Sequence, residues 1–160
     1  MNNTHGIRGN GPQDPQSPGR LDALAQRIAR ENARPLVLVG MMGVGKSTIG
    51  RKLAALLRLP FADADDEIVK AAKMPIAEIF DTYGEAYFRD GERRVIARML
   101  DSGPCVIATG GGAFVQDDTA ALILDKGIPI WLDSDVDTLV ERVGRNSKRP
   151  LLRGGNVREI

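Results

Sequence analysis

The segment Gly40-Met41-Met42-Gly43-Val44-Gly45-Lys46-Ser47 constrains this chain more than any other, because it fits the pattern G-x-x-x-x-G-K-[ST] in full. It follows an unbroken aliphatic run, Leu36 to Val39, which reads as a strand buried on both faces, as in parallel sheets. It precedes Ile49, Leu53 and Leu57, whose spacing predicts a helix from about Ser47 to Leu57 with those three residues inward. A strand, a glycine-rich turn and a helix are the setting in which this pattern forms a phosphate-binding loop. The glycines let the N–H groups of Gly43, Val44, Gly45, Lys46, Ser47 and Thr48 turn around phosphate oxygens, and the helix adds its positive end. Lys46 is expected to reach the β- and γ-phosphates of a nucleoside triphosphate, and Ser47 to ligate Mg²⁺.

The rest of the chain repeats the alternation of strand and helix. Cys105 to Ala108 and Ile128 to Leu132 read as further buried strands, with Trp131 directed into the core and Pro129 near the start of the second. Helical spacing recurs through Ile68, Val69 and Ala72 up to Lys73-Met74-Pro75, then in a short helix marked by Ile76, Ile79 and Phe80. A longer helix is marked by Val95, Ile96, Met99 and Leu100, and another runs from about Asp118 to Lys126 with Gly127 at its C-cap. Ser134 is expected to cap a helix carrying Val136, Leu139, Val140 and Val143. Aliphatic strands alternating with helices predict a three-layer α/β/α domain on a central parallel sheet.

Residues 1–20 hold four Gly and three Pro among polar residues and read as a disordered tail. Residues 21–34 read as a short amphipathic helix on Leu21, Leu24, Ala25 and Ile28, and the kinase-like domain is expected over 35–160. A chain of 160 residues is long enough to bury a core. One cysteine and one histidine rule out a disulfide framework and make a His- or Cys-based metal site a poor expectation. Cys105 opens a strand and reads as a small core residue. The net charge of +1 predicts no broad grip on nucleic acid or anionic membrane, and the apolar runs are too short to span a bilayer or form a signal peptide. The expected location is therefore the cytoplasm. Charge is uneven, however: Arg142 to Ile160 carries six basic residues and one acid, a surface suited to phosphate.

Guanine-nucleotide switches carry an N/T-K-x-D motif that is absent here, and the chain is short for a motor or transporter ATPase, which leaves a small-molecule kinase. Such an enzyme needs a second anionic group near Mg²⁺ and a group to orient the attacking hydroxyl. Asp63 and Asp65, two residues apart beyond a short apolar stretch, would face one side of an extended chain. Asp133, after the last aliphatic run, fits the metal role equally well by pattern, and spacing does not choose between it and Asp63. Asp66 and Glu67 read as the acidic first turn of a helix.

Asp63-Ala64-Asp65, the stretch Gly84-Glu85-Ala86-Tyr87-Phe88-Arg89 with Glu92, the triplet Gly110-Gly111-Gly112, and Arg149-Pro150-Leu151-Leu152 follow the phosphate loop in order. In that order and spacing the chain resembles the shikimate kinases from about Leu36 to about Asn156. The resemblance implies a nucleoside-monophosphate-kinase-like fold and transfer of the ATP γ-phosphoryl group to the 3-hydroxyl of shikimate, by a monomer that uses Mg²⁺. It implies that Asp63 joins Ser47 at Mg²⁺ through water, that Asp133 has no catalytic part, and that Asp65 orients the hydroxyl or takes its proton. It further implies that Arg89 and Gly110 to Gly112 bind shikimate, with Phe80 and Phe88 as pocket walls. Arg149 would reach the transferring phosphates from a lid over about 144–156, and Arg142 and Pro150 would lie near the adenine. The family continues with a helix bearing a second carboxylate-binding arginine, a strand and a final helix, so the chain is expected to be a fragment or truncated. The alternatives are another P-loop small-molecule kinase of the gluconate-kinase type, or a nucleotide-binding protein without turnover.

Overall fold

The computed structural model describes residues 18–31 and 34–134. The first helix, α1 (Pro18–Arg30), starts inside the segment expected to be tail and ends before Pro35, four residues earlier than its apolar spacing suggested. The remaining elements are β1 (Leu36–Val39), α2 (Lys46–Leu57), β2 (Phe61–Asp63), α3 (Ala64–Ala72), α4 (Ile76–Leu100), β3 (Val106–Ala108), a 3₁₀ turn (Ala113–Val115), α5 (Asp117–Lys126) and β4 (Ile128–Trp131). All four strands are parallel, in the order β2-β3-β1-β4.

The two-residue period of a strand sorts the core into two layers, one on each side of the sheet. Leu36 and Leu38 point toward α2, where they meet Ala54 and Leu57, with Leu53, Phe61 and Ile130 packed around them. Val37, Val39 and Ile107 point the other way, into a larger cluster with Ile68 of α3, Phe88, Ile96 and Met99 of α4, and Ile123 of α5. Residues of β1 are buried on both faces. This is the α/β/α arrangement the alternation predicted.

The inward face of α2 differs from the apolar spacing. Ile49 is exposed, and the buried positions are Lys46, Gly50, Ala54 and Leu57. A Cβ on Gly50 would come within 2.7 Å of the Phe61 ring and 3.0 Å of Leu38 Cδ1, so the helix approaches the sheet through its smallest residue. Strand β4 is also not the buried strand expected. Among the described residues it pairs only with β1, and Trp131 is 58% exposed, with its ring edge-on to Phe114 at 6.3 Å between centroids. The helix expected over Val136 to Val143 lies outside the described residues, as do positions 1–17.

The two helices expected around Ile76 and Val95 are both present: α4 consists of two helices that meet at a kink, where Gly84 alone leaves helical geometry. Gly127 does follow α5, but its backbone is extended (φ −117°, ψ 179°) and not left-handed. Glycine is required there by packing, because a Cβ would come within 2.8 Å of Val37 Cγ2 and 3.1 Å of both the Ile123 carbonyl and Leu100 Cδ2. Gly127→Ala is accordingly expected to lower stability by about 1 to 3 kcal/mol through overpacking. Urea denaturation checks this, and an unchanged or higher midpoint would contradict it.

Candidate active site

In a parallel sheet every strand delivers its following segment to the same edge, and here the segments directly after β1, β2 and β3 carry Lys46, Ser47, Asp63, Asp65 and the glycine triplet, while Arg89 comes from α4 and Asp133 follows β4. The loop after β1 turns through three glycines with positive φ: Gly40 (138°), Gly43 (82°) and Gly45 (97°). A Cβ on Gly40 would collide with the Leu132 carbonyl oxygen, so the loop can leave the sheet here only through glycine. Gly45 precedes α2 without any side-chain cap, which leaves the first-turn N–H groups directed at the loop interior. Lys46 is 6% exposed, and its ammonium donates to the carbonyls of Gly40 and Met41 at 2.7 Å each. A buried cation is thus held by the loop's own oxygens at the place where a phosphate would sit.

Asp63 ends β2 and caps α3. One of its carboxylate oxygens accepts from the Asp65 N–H at 2.9 Å, and the other accepts from the Ser47 hydroxyl. The extended-chain picture of Asp63 and Asp65 therefore needs correcting, since Asp65 already lies in the first turn of α3, beside Asp66 and Glu67. What joins the two aspartates is a helix cap. Of the two candidates that spacing left open, Asp63 is the one in contact with Ser47. Asp133 is exposed and, among the described residues, accepts from the N–H of Ser134 at 2.8 Å. Among the described residues no group of three or more His, Cys, Asp or Glu could hold a metal ion. A hydroxyl beside one carboxylate suits Mg²⁺ all the same, because that ion takes hard oxygen ligands, keeps several waters and borrows phosphate oxygens.

The third loop begins with Thr109, whose backbone and hydroxyl both donate to the Leu38 carbonyl, at 3.2 and 2.9 Å. The glycine triplet that follows touches both neighbouring elements. A Cβ on Gly111 would come within 2.8 Å of the Met42 backbone nitrogen, and one on Gly112 within 2.5 Å of Arg89 Nη2. The Arg89 guanidinium thus lies flat against bare backbone. It donates to Glu92 at 2.8 Å and approaches Glu85 at 3.4 Å, with Glu92 only 1% exposed. Its centre is 5.2 Å from the Phe88 ring centroid, and Phe88 in turn packs on Phe80 at 4.5 Å. A continuous line of contacts therefore runs from Asp65 through Asp63 and Ser47 to the phosphate loop, and from Met42 through Gly111 and Gly112 to Arg89.

Two participants carried no sequence signal for the contacts they make. Glu92 stood in a motif without a role, and its burial against Arg89 became visible only in the fold. Gly40 carried a signal as a phosphate-loop glycine but none for its tightest neighbour, the Leu132 carbonyl just after β4. Cys105 behaves as the core residue expected: it is buried, and burial pushes its thiol above the ordinary range despite a weak contact with the Ser102 hydroxyl. A groove of about 290 Å³ between α3 and α4 shares Phe88 with the site but is lined by none of the phosphate-loop residues. Arg142, Arg149 and Pro150 lie outside the described residues.

A phosphate loop on a parallel sheet, with an acidic cap against its serine and an arginine held across from it, defines a P-loop kinase. Comparison with known proteins narrows this. A family profile described as shikimate kinase matches residues 42–160. The chain is 68% identical over 138 residues to a shikimate kinase of Novosphingobium aromaticivorans, covering 84% of this chain and 72% of that protein. It is 59% identical over 129 residues to one from Bradyrhizobium diazoefficiens, covering 81% of this chain and 62% of that protein. The structure is similar to that of a shikimate kinase from Acinetobacter baumannii in complex with shikimate, with a TM-score of 0.77 at 37% identity, covering 82% of this chain and 73% of the other. The chain belongs to the shikimate kinase family.

Because Arg89 and Glu92 form a largely buried ion pair, removing one partner strands the other charge. Glu92→Ala is expected to cost about 3 to 5 kcal/mol of stability, and Glu92→Gln less. Urea denaturation of both variants checks this; a loss below about 1 kcal/mol in the alanine variant would mean the pair is not buried as described.

Proposed function

We propose that this chain transfers the γ-phosphoryl group of ATP to the 3-hydroxyl of shikimate, giving shikimate 3-phosphate and ADP. The observation that supports this most is the unbroken line of contacts between the phosphate loop and Arg89. It couples a triphosphate site to a guanidinium able to grip a carboxylate in a planar, two-point fashion. Lys46 would move from the loop carbonyls to the β- and γ-phosphates, and the bare N–H groups of the loop would bind the remaining oxygens. Ser47 would hold Mg²⁺ directly and Asp63 through water; when bound, the ion neutralises phosphate charge.

Asp65, fixed by the cap of Asp63, orients the shikimate hydroxyl and accepts its proton as the new O–P bond forms. The bond to ADP breaks in the same displacement, and the electron pair leaves on the ADP oxygen. Phosphoryl transfer asks mainly for positioning and charge neutralisation, so what Asp65 chiefly supplies is the orientation of the hydroxyl. Gly110 to Gly112 let backbone N–H groups approach the substrate closely, and the rings of Phe80 and Phe88 wall its apolar side. The proposed roles of Arg149 at the transferring phosphates and of Arg142 and Pro150 near adenine, within a lid over 144–156, rest on the family match. No helix of the described residues is long and apolar enough to cross a membrane. The proposal takes the protein as a cytoplasmic monomer that acts on two small substrates, without nucleic-acid or membrane partners.

Two substitutions test the assignments. Asp65→Asn is expected to lower kcat by about 10²- to 10⁴-fold while ATP affinity stays within about twofold. Unchanged turnover would remove Asp65 from the mechanism. Arg89→Ala is expected to raise KM for shikimate by about 10- to 100-fold, the equivalent of one charged hydrogen bond. An effect confined to ATP would contradict its place at the carboxylate. Both are read in a coupled ADP-release assay, run beside a panel of other polyhydroxy acids, which should give no release above background.

A further inference from the structure

Helix α4 leaves helical geometry at Gly84 alone, where φ is 82° and ψ is 174°. Residues with an L side chain essentially do not enter that region. A Cβ built on Gly84 would meet nothing within 4 Å, so backbone conformation and not crowding demands glycine. Gly91, in the same element, is helical and equally uncrowded.

The break has a geometric consequence. Phe80 and Phe88 are eight residues apart, so in a continuous helix they would be separated by about 12 Å along the axis. Both side chains would also lean toward the helix N-terminus, and neither could turn back to the other. Their ring centroids are nevertheless 4.5 Å apart, which only the turn at Gly84 permits. Tyr83 and Tyr87 stack across the same turn at 4.6 Å. Phe88 is 4% exposed and anchors the second half of the helix in the core. Arg89 follows it directly, with its guanidinium against Gly112 and Glu92. The angle at Gly84 therefore sets where Arg89 enters the site.

We propose that Gly84 is a positioning residue for Arg89, holding the second half of α4 at the angle that presents the guanidinium to an anionic group of the acceptor. Only the identity of that anion, the shikimate carboxylate, rests on the function proposed above. The test is Gly84→Ala, made once with L-alanine and once with D-alanine by chemical ligation, since inverting the chirality inverts the preferred sign of φ. Calorimetric titration is expected to show shikimate binding weakened by roughly tenfold or more in the L form, with ADP binding within about twofold of native. The D form should bind both ligands within about twofold of native. An L form that does not fold, beside a D form that folds and binds normally, upholds the same requirement. Native shikimate affinity in the L form, or equal loss in both forms, overturns it.

If the native protein does not bind shikimate at all, the proposed function fails, and the geometry is read independently by NMR. Nuclear Overhauser contacts between the Phe80 and Phe88 rings, and a slowly exchanging Arg89 Nη1–H bonded to Glu92, should be present in the native and D forms and lost in the L form. Their absence from the native protein, or their persistence in the L form, overturns the proposal.

Discussion

At the carboxyl edge of the sheet, backbones approach one another so closely that a single methyl group would separate them. Gly40 sits against the Leu132 carbonyl, Gly111 against the backbone of Met42, and Gly112 against the Arg89 guanidinium. These contacts tie the ends of β1, β3 and β4 and the middle of α4 into one unit. Each is made where a side chain is missing, so none can be strengthened by substitution and any could be lost by one. The phosphate loop, the glycine triplet and Arg89 hold their places because these glycines let neighbouring groups come directly against the backbone.

The chemistry follows from that closeness. A phosphoryl transfer enzyme contributes little covalent reactivity and much placement, so what matters is that donor and acceptor sites share a rigid reference. Central strand β1 supplies it, since its residues are buried on both faces and pair with strands on either side. Asp63 does two jobs at one position: it caps α3 and accepts from the Ser47 hydroxyl, so the residue that orders the start of α3 is also tied to the phosphate loop. The Arg89 and Glu92 pair does the corresponding work on the far side, with a buried carboxylate directing a cation toward the cleft.

Much of this was legible in the sequence because its signals are local. The phosphate loop is a contiguous pattern with a strand before it and a helix after it, and Leu36 to Val39 could hardly be anything but a central strand. The places where reading failed are those where the outcome depends on distant partners. Ile49 has the spacing of a core residue, yet α2 meets the sheet through Gly50 because the Phe61 ring lies there. Trp131 alternates as though inward, but among the described residues it is exposed, and periodicity carries no information about which elements cover a strand. Asp63 and Asp133 were equivalent by pattern, and only the fold shows which one touches Ser47. Gly84 was quoted in a motif, but nothing in the sequence says that a single residue there turns a helix and leaves the next turn intact.

The central claim is that the loop and Arg89 form one site that delivers a phosphoryl group to a chosen alcohol and not to water. The most direct measurement is a single-turnover reaction with ATP labelled at the γ-phosphoryl group, in which the fate of the label is followed with and without shikimate. The account predicts that the label passes to shikimate and that little inorganic phosphate forms in either case. Label released as inorganic phosphate at the same rate whether or not shikimate is present would contradict it, since the phosphate loop would then be acting without the acceptor site.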